Sequence, residues 1–284
     1  MIKFTKMHGI GNCYIYINGF EEEVFNPGKM SEFVSDMHFG IGSDGLVLIL
    51  PSETADFKMR IFNADGSEAE MCGNATRCVG KYVYENGMTK NTKISLETNA
   101  GIKQLELDVV NHVVQSVTVD MGKAILEPEK IPVKTEGATV VDEQIEVGGK
   151  EYRFTGVSMG NPHAVVFVDD VDSLPLDKIG PMFENHEMFP ERVNTEFIQV
   201  IDENTLKMRV WERGSGETWA CGTGACASVV AAALNGFVKQ DREIKVKLRG
   251  GSLYITYKSD GTVIKRGPAA FVCKGEVEVP PVAR

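Results

Sequence analysis

Two cysteines stand in similar surroundings in the two halves of the chain. Cys72 lies in the stretch MCGNATRCV and Cys221 in the stretch ACGTGACAS, and in both a glycine follows the cysteine directly. A helical pattern follows each cysteine, so both are predicted at a helix N-terminus. Unpaired N–H groups and the positive end of the helix dipole lower a thiol pKa there, from about 8.5 towards neutrality. The pattern therefore predicts two reactive thiols.

Two such thiols can move protons on opposite faces of one carbon atom. A thiolate removes the α-proton of an amino acid from one face, and the opposite thiol delivers a proton to the other, so the centre inverts. The N–H groups of Gly73, Asn74, Gly222 and Thr223 are expected to bind the substrate carboxylate as charge builds on it. This chemistry needs no cofactor, and no nucleotide-binding glycine motif follows a strand.

The two cysteines belong to an internal repeat. FKMRIF, residues 57–62, returns as LKMRVW, residues 206–211, at an offset of 149 residues, the difference between 206 and 57. The same offset relates further pairs, namely Gly11-Asn12 and Gly160-Asn161, Glu68 and Glu217, Cys72 and Cys221, and Asn86-Gly87 and Asn235-Gly236. An unchanged offset over this length predicts two duplicated units.

Each unit is predicted to combine several strands with one helix. Runs such as YIYI, LVLIL and HAVVFV are typical of strands, and the helical segment after each repeated cysteine ends at Asn-Gly, a frequent helix stop. The sequence thus predicts an α+β fold of two pseudo-symmetric domains that face each other, each a mainly antiparallel sheet wrapped around a central helix. The boundary is expected near residue 120, and the repeat leaves open which domain holds the C-terminal segment GPAAFVCKGEVEV.

Composition and charge narrow the classes of function. The 43% hydrophobic and 25% charged residues are typical of a folded globular protein. The net charge of -10 argues against a nucleic-acid or anionic-membrane partner, because both require a basic surface. No signal peptide or membrane-spanning segment is recognised, so a cytoplasmic location is expected.

The cysteine spacing favours free thiols. In a reducing compartment the six cysteines are not expected to form a disulfide framework, and neither Cys72/Cys78 nor Cys221/Cys226 has the usual spacing of a zinc pair. No metal is therefore expected. A dithiol redox role is the rival hypothesis from another class, although the CxxC motif typical of it is absent. A role as small hydrophobic side chains is favoured for Cys13, Cys78, Cys226 and Cys273.

Longer motifs resemble those of the diaminopimelate epimerase family. They are KMHGIGN, RIFNADGSEAEMCGN, GNPHAV, RVNTEF and ERGSGETWACGTGAC, and the resemblance extends to GGSL and GPAAF near the end. It implies a pyridoxal-independent conversion of LL-2,6-diaminopimelate to the meso form, in lysine and peptidoglycan biosynthesis, by a homodimer. It also implies that the last strand returns to the first domain, giving an N-terminal epimerase domain of residues 1–120 plus 267–284 and a C-terminal one of residues 121–266.

The resemblance implies roles for individual residues. Cys72 and Cys221 match the catalytic acid/base pair, while His163 and Glu212 match the residues that tune the thiols. The carboxylate clamps at the two helix starts are matched by Gly73-Asn74 and Gly222-Thr223. The rest of the substrate-binding set is matched by Asn12, Asn63, Asn161, Asn194, Glu212 and Arg213. A bidentate pair between Arg213 and the distal carboxylate of diaminopimelate suits the guanidinium group.

Two positions bear on the choice of substrate. Where many family members have GCDQ or GFDQ, this chain has GSDGL, so Gly45 supplies no side chain and the contact must be lost or replaced by backbone. A proline-racemase-like enzyme shares the fold and the two-thiol chemistry, and it stays open as an alternative. Such enzymes typically have histidine after the first Cys-Gly, whereas this chain has Asn74.

Overall fold

The structure is a computed structural model that describes residues 1–279 and 281–283. The chain divides into two compact units. Unit 1 comprises Met1–Val119 and Arg266–Arg284, and unit 2 comprises Asp120–Lys265. Among the described residues, we find no helix with the length and apolar character that a membrane crossing requires.

Unit 1 is built from strands around two helices. Its first elements are β1 (Ile2–Gly9), β2 (Asn12–Asn18), α1 (Pro27–Ser35), β3 (Gly45–Leu50), β4 (Phe57–Asn63), β5 (Glu68–Ala69), α2 (Gly73–Glu85), β6 (Lys93–Thr98), β7 (Gly101–Val110) and β8 (Val113–Lys123), which contains the unit boundary. The pairs β1–β2, β3–β4, β4–β5, β6–β7 and β7–β8 are antiparallel. Only β2–β3 and β4–β6 are parallel among the registered pairs of this unit's described residues.

Unit 2 repeats this order. After a short 3-10 turn (Pro128–Lys130), its elements are β9 (Glu143–Val147), β10 (Lys150–Ser158), β11 (Pro162–Phe167), α3 (Leu176–Glu184), β12 (Asn194–Asp202), β13 (Thr205–Glu212), β14 (Gly216–Glu217), α4 (Gly222–Leu234), β15 (Glu243–Leu248), β16 (Gly251–Tyr257) and β17 (Thr262–Gly267). Here β10–β11, β12–β13, β13–β14 and β15–β16 are antiparallel, and β11–β12 and β13–β15 are parallel. The sequence of pairing directions is that of unit 1.

The strand register also preserves the repeat. Leu46 lies opposite Phe62 in the β3–β4 pair, and Thr195 lies opposite Trp211 in the β12–β13 pair. Each residue of the second pair follows its counterpart by the offset of 149 that the sequence shows between Phe57 and Leu206, the difference between 206 and 57. The predicted duplication is therefore confirmed at the level of strand pairing.

A buried helix lies against the sheet in each unit. Helix α2 packs on β1, β2 and β7, and helix α4 packs on β10 to β13, β15 and β16. Small side chains make this possible in α4, in which every residue from Gly224 to Ala232 is buried. A mainly antiparallel sheet around one central helix is what the sequence predicts, so the α+β fold class is confirmed.

The two central helices end in the same way. Asn86 and Asn235 are the C-cap residues, and the Nδ2 of each donates to a helix carbonyl at 2.8 Å. The glycines that follow take positive φ angles, 73° at Gly87 and 77° at Gly236. This left-handed conformation ends a helix without strain only when no Cβ is present, so the predicted Asn-Gly helix stops are confirmed.

The C-terminal segment pairs within unit 1. Strand β18 (Ala270–Val277) runs antiparallel to β1, with Val277 opposite Ile2 and Ala270 opposite His8. A short 3-10 turn (Pro281–Ala283) follows. The pairing answers the question that the repeat left open. The assignment of residues 1–120 with 267–284, and of residues 121–266, to two epimerase domains stays a prediction.

Candidate active site

Both cysteines that the sequence singles out are helix N-caps. Cys72 precedes α2 with φ −131° and ψ 117°, and Cys221 precedes α4 with φ −113° and ψ 111°. Their carbonyl groups accept the first helical bonds, from Thr76 N at 2.9 Å and from Ala225 N at 3.0 Å. Neither helix has an acidic residue in its first turn, so its positive end faces the thiol without local neutralisation.

The amide of Asn12 lies beside Cys72 in unit 1. Its Oδ1 accepts from Cys72 Sγ at 3.4 Å and from Asn74 Nδ2 at 3.3 Å. Its Nδ2 donates to Oδ2 of Asp44 at 2.8 Å. Because an ionised carboxylate only accepts hydrogen bonds, Asp44 fixes the orientation in which Asn12 presents its carbonyl oxygen to the thiol. The structure thus brings Asn12, Cys72 and Asn74 together.

The phenol of Tyr14 is a second neighbour of Cys72. Tyr14 is buried on β2, where the side chains of Asn12 and Cys72 lie close enough to its hydroxyl to shift its pKa. Burial, followed by the negative charges of Cys72 and Asp44, raises the pKa of Tyr14 well above its usual value. The hydroxyl therefore keeps its proton and can donate it in a hydrogen bond to sulfur.

Asn63, which the resemblance places in the substrate set, lies at the end of β4. Its Nδ2 donates to Ser67 Oγ at 3.1 Å, and its backbone N–H donates to Ser67 O at 2.8 Å. These bonds close the turn between β4 and β5. The structure thus places Asn63 in this turn, outside the hydrogen-bonded group of Asn12, Cys72 and Asn74.

The backbone conformation and close packing at position 45 require glycine. It is buried at the start of β3 with φ 154°, and a Cβ built there would overlap the carbonyl oxygen of Phe62 and lie 2.9 Å from Tyr14 Cε1. A side chain at this position would therefore have to displace main chain. The loss of the usual side-chain contact in the GSDGL stretch is a property of the local fold.

Around Cys221, unit 2 supplies several hydrogen-bond partners. Its Sγ accepts from the backbone N–H of Gly224 at 3.3 Å and lies 3.5 Å from Thr223 Oγ1. The carboxylate of Glu212 also lies close enough to Cys221 for the two side chains to shift each other's pKa. The hydroxyl of Thr218 in turn donates to Glu212 Oε1. A carboxyl group beside a thiol can exchange a proton with it.

The electrostatic surroundings of Cys221 favour the protonated thiol. Burial raises its pKa well above the ordinary value, and the negative charges of Glu212 and Glu196 raise it further, while contacts to Thr223 and Gly224 lower it. Burial also raises the pKa of Glu212. The prediction that the helix N-terminus brings this thiol pKa towards neutrality is therefore wrong for Cys221. Lost hydration and two carboxylates outweigh the N–H groups.

His163 lies between two oxygen atoms in the interior of unit 2. Its Nδ1 is 2.8 Å from Glu196 Oε1, and its Nε2 is 3.1 Å from Asn161 Oδ1. An ionised Glu196 accepts only, so Nδ1 carries a proton in this arrangement. Neither Glu196 nor Tyr14 is among the site residues that the sequence predicts. Glu196 lies in the quoted RVNTEF stretch, and Tyr14 is the counterpart of His163 at the repeat offset.

Three of these residues are also metal-ligand types. In the part of the chain that the structure describes, ligand atoms of His163, Glu196 and Cys221 lie within 4.8 Å of one another, and all three residues are buried. Cysteine, histidine and glutamate are common zinc ligands. A ligating imidazole needs one nitrogen free for the metal, however, whereas both nitrogens of His163 face oxygen atoms at hydrogen-bond distance. The arrangement suits proton transfer better than metal binding.

Asn194 and Arg213 are joined in the same unit. Asn194 Nδ2 donates to Pro162 O at 2.7 Å, and its Oδ1 accepts from the backbone N–H of Arg213 at 3.0 Å. The guanidinium of Arg213 donates through Nη1 to Glu191 O at 2.9 Å. A guanidinium has further N–H donors in a planar fork, which match a carboxylate.

Comparison with solved structures defines the class of fold. A hydroxyproline epimerase from Agrobacterium vitis aligns over 97% of this chain and 90% of its own, with a TM-score of 0.69 and 17% identity. A phenazine biosynthesis protein of the PhzF family from Bacillus anthracis aligns over 98% and 99%, with a TM-score of 0.70 and 18% identity. At these identities the likeness shows the fold alone, which is that of the two-unit α+β class to which these proteins belong.

Comparison of sequences gives the family within that class. The family profile described as diaminopimelate epimerase matches residues 4–127 and 155–272. A diaminopimelate epimerase from Acetivibrio thermocellus is 59% identical over 98% of this chain and 99% of its own, and one from Methanococcus maripaludis is 57% identical over 98% and 100%. The chain belongs to the diaminopimelate epimerase family. The resemblance stated from the motifs is confirmed.

Proposed function

We propose that this chain is an isomerase that converts LL-2,6-diaminopimelate to the meso isomer by inverting one α-carbon. The observation that carries the proposal is the pair of cysteines at equivalent helix N-caps, in a chain that is 59% identical along nearly its whole length to a diaminopimelate epimerase. The product belongs to the synthesis of lysine and of peptidoglycan precursors. The proposed reaction uses no cofactor.

In the proposed mechanism, Cys72 and Cys221 act on opposite faces of the α-carbon. In one direction the Cys72 thiolate takes the α-proton, forming an S–H bond as the C–H bond breaks. The Cys221 S–H bond breaks as a new C–H bond forms on the other face. The raised pKa of Cys221 supports its role as the donor in this direction. The roles exchange in reverse, because the overall reaction consumes no proton.

The surroundings of Cys72 suit both of its protonation states. Asn12 Oδ1 accepts a hydrogen bond from the S–H group, and the protonated hydroxyl of Tyr14 is a donor for the thiolate. Glu212 is proposed to stabilise the charge at Cys221 in the same way, because the two side chains influence each other's pKa and that of Glu212 is raised. Each thiol thus has a neighbour for the charge that it carries during the reaction.

The substrate carboxylate at the reacting centre is proposed to bind the N–H groups of Gly73-Asn74 and Gly222-Thr223. These groups belong to the first turns of α2 and α4, where backbone donors have no helical partner. Each preorganised donor aimed at developing charge contributes roughly 3 kcal/mol to such a reaction. Arg213 is proposed to bind the distal carboxylate, with amide and carboxyl contacts from Asn12, Asn63, Asn161, Asn194 and Glu212.

We also propose that the enzyme is a homodimer, which is what the family resemblance implies, and that it is located in the cytoplasm. Light scattering of the purified protein during size-exclusion chromatography tests the oligomeric state. A mass near that of a single 31.2 kDa chain would contradict the dimer. Fractionation of cells that express the protein tests its location.

Proton exchange in deuterated water tests the activity. The reduced enzyme is incubated in D2O with LL-diaminopimelate or with L-proline, beside the variants Cys72→Ala and Cys221→Ala, and the α-proton signals are followed by NMR. The proposal requires loss of the diaminopimelate signal, formation of the meso isomer, and loss of inversion in both variants. Exchange of proline alone would assign a proline-racemase-like activity. Absence of exchange with either substrate would favour the dithiol redox role.

A further inference from the structure

Glu196 is a charged residue in the interior of unit 2 to which the proposed mechanism gives no part. Its side chain is 0% exposed on β12, between the buried residues Thr195 and Phe197. Oε1 bonds His163, while Oε2 has no hydrogen-bond partner among the residues that the structure describes. A buried carboxylate with an unmatched oxygen destabilises a fold, so its presence calls for a functional explanation.

The carboxylate of Glu196 and the sulfur of Cys221 border the same glycine. A Cβ built on Gly224 would overlap Glu196 Oε1 and would lie 3.1 Å from Cys221 Sγ. Glycine is unfavourable inside a helix, and here it leaves room for the carboxylate beside the first turn of α4. Ligand atoms of His163, Glu196 and Cys221 accordingly lie within 4.8 Å of one another.

The repeat supplies a comparison within the same chain. At the offset of 149, the difference between 206 and 57, His163 corresponds to Tyr14 and Glu196 corresponds to Val47. The first copy therefore has a phenol and an apolar side chain where the second has an imidazole and a carboxylate. Duplication accounts for the two thiols, but the imidazole–carboxylate pair belongs to the Cys221 copy alone.

We propose that Glu196 is a positioning residue that holds a proton on Nδ1 of His163 and keeps Cys221 in its thiol form between turnovers. This inference rests on the proposed donor role of Cys221. The groups of unit 2 that face the sulfur are Glu212 from β13, Glu196 from β12 and His163 from β11, with Thr223 on α4. As Cys221 gives its proton to the substrate carbon, the S–H bond breaks while the Nδ1–H bond of His163 stays intact.

The sign of the effect follows from the charges. The negative charge of Glu196 raises the pKa of Cys221. Glu196→Gln removes that charge and keeps the shape of the side chain, so Cys221 should ionise at lower pH and lose part of its capacity as a donor. Glu196→Asp keeps the charge and should restore the parent behaviour. Glu143→Gln, in which a carboxylate that bonds Thr135 is changed, is the matched control.

Alkylation of Cys221 measures this ionisation without requiring epimerase activity. Iodoacetamide is applied in a Cys72→Ala background over a range of pH, and the Cys221 peptide is quantified by mass spectrometry. Glu196→Gln should lower the pH midpoint by about one unit, which is the size of shift that one close charge produces. Glu196→Asp and Glu143→Gln should leave the midpoint where it is. An unchanged midpoint in a folded Glu196→Gln variant would overturn the inference.

A second measurement uses the parent protein and does not depend on any variant at position 196 folding. Ring 15N NMR distinguishes the tautomers of the five histidines, and His163→Gln identifies the signal of His163. A proton fixed on Nδ1 is expected, and a ring protonated only on Nε2 would overturn the inference. If the midpoint shifts but diaminopimelate is not epimerised, the proposed function fails and the role of Glu196 stands. If diaminopimelate is epimerised and the midpoint does not shift, the proposed function stands and the role of Glu196 fails.

Discussion

Arg209 and Glu217 form a two-pronged ion pair beside the second catalytic candidate. Nε bonds Oε1 at 2.8 Å and Nη2 bonds Oε2 at 3.1 Å, and the side chains are 17% and 19% exposed. Unit 1 has the same pair between Arg60 and Glu68, but there the side chains are 36% and 30% exposed. The pair ties β4 to β5 in unit 1 and β13 to β14 in unit 2, just before each cysteine.

The difference in burial predicts a difference in stability. Glu217→Gln should lower the free energy of unfolding by roughly 1–3 kcal/mol, because it leaves a largely buried guanidinium without its anion, whereas Glu68→Gln should cost about 0–1 kcal/mol. Urea titrations of the two variants make the comparison. Equal losses would contradict it.

The Arg209–Glu217 pair also predicts how the free energy of unfolding depends on pH. Hydrogen bonding to Arg209 holds the pKa of Glu217 below its usual value. A carboxyl group with a lowered folded-state pKa contributes stability above its unfolded-state pKa of 4.5, and the contribution is lost as the pH falls through the lower folded value. The gap in unfolding free energy between the parent and Glu217→Gln should therefore be full at neutral pH and shrink below about pH 4.5. A gap that does not change between pH 7 and pH 3 would rule out this coupling.

Glu212 gives a prediction about chemistry. Glu212→Gln should lower the turnover number about 100-fold, the lower end of what a positioned acid or base supplies. It should also lower the pH at which Cys221 is alkylated, because the charge of Glu212 raises the pKa of that thiol. Measuring both separates a proton-handling role from binding alone. A variant with a raised KM, an unchanged turnover number and an unchanged alkylation profile would assign Glu212 to binding only.

The close packing around Gly45 predicts that an alanine there lowers the free energy of unfolding. Gly87 also has a positive φ, 73°, but a Cβ there meets nothing within 4 Å, whereas one at Gly45 would overlap the carbonyl oxygen of Phe62. Gly87→Ala should therefore cost about 1 kcal/mol of unfolding free energy, and Gly45→Ala should cost about 2–4 kcal/mol, since strain and overlap act together. Thermal unfolding of the two variants tests this difference. A Gly45→Ala variant as stable as Gly87→Ala would show that the strands relax easily.

Much of this arrangement could be predicted from sequence, because it is encoded locally. The repeat predicts two similar units, and the Cys-Gly and Asn-Gly pairs predict where α2 and α4 begin and end. The surroundings of Cys221 could not be predicted in this way. The helix N-terminus acts on any thiol placed there, but Glu196 reaches Cys221 through the parallel pairing of β11 with β12, which brings His163 opposite Asn194. Tertiary contacts of this kind reverse the sign of the local effect on the pKa.

Tyr14 gives a prediction with a control on the same strand. Its hydroxyl lies near Cys72, whereas the hydroxyl of Tyr16, two residues further along β2, is buried without a hydrogen-bond partner among the residues that the structure describes. Tyr14→Phe removes a donor to the Cys72 thiolate, and a hydrogen bond to a charged group contributes about 1.5–3 kcal/mol, so the turnover number should fall by about 10-fold or more. Tyr16→Phe removes a hydroxyl of similar burial and should leave the rate unchanged. If both variants keep the parent rate and melting temperature, Tyr14 only fills space beside Cys72, and the thiolate is stabilised by backbone N–H groups at the start of α2.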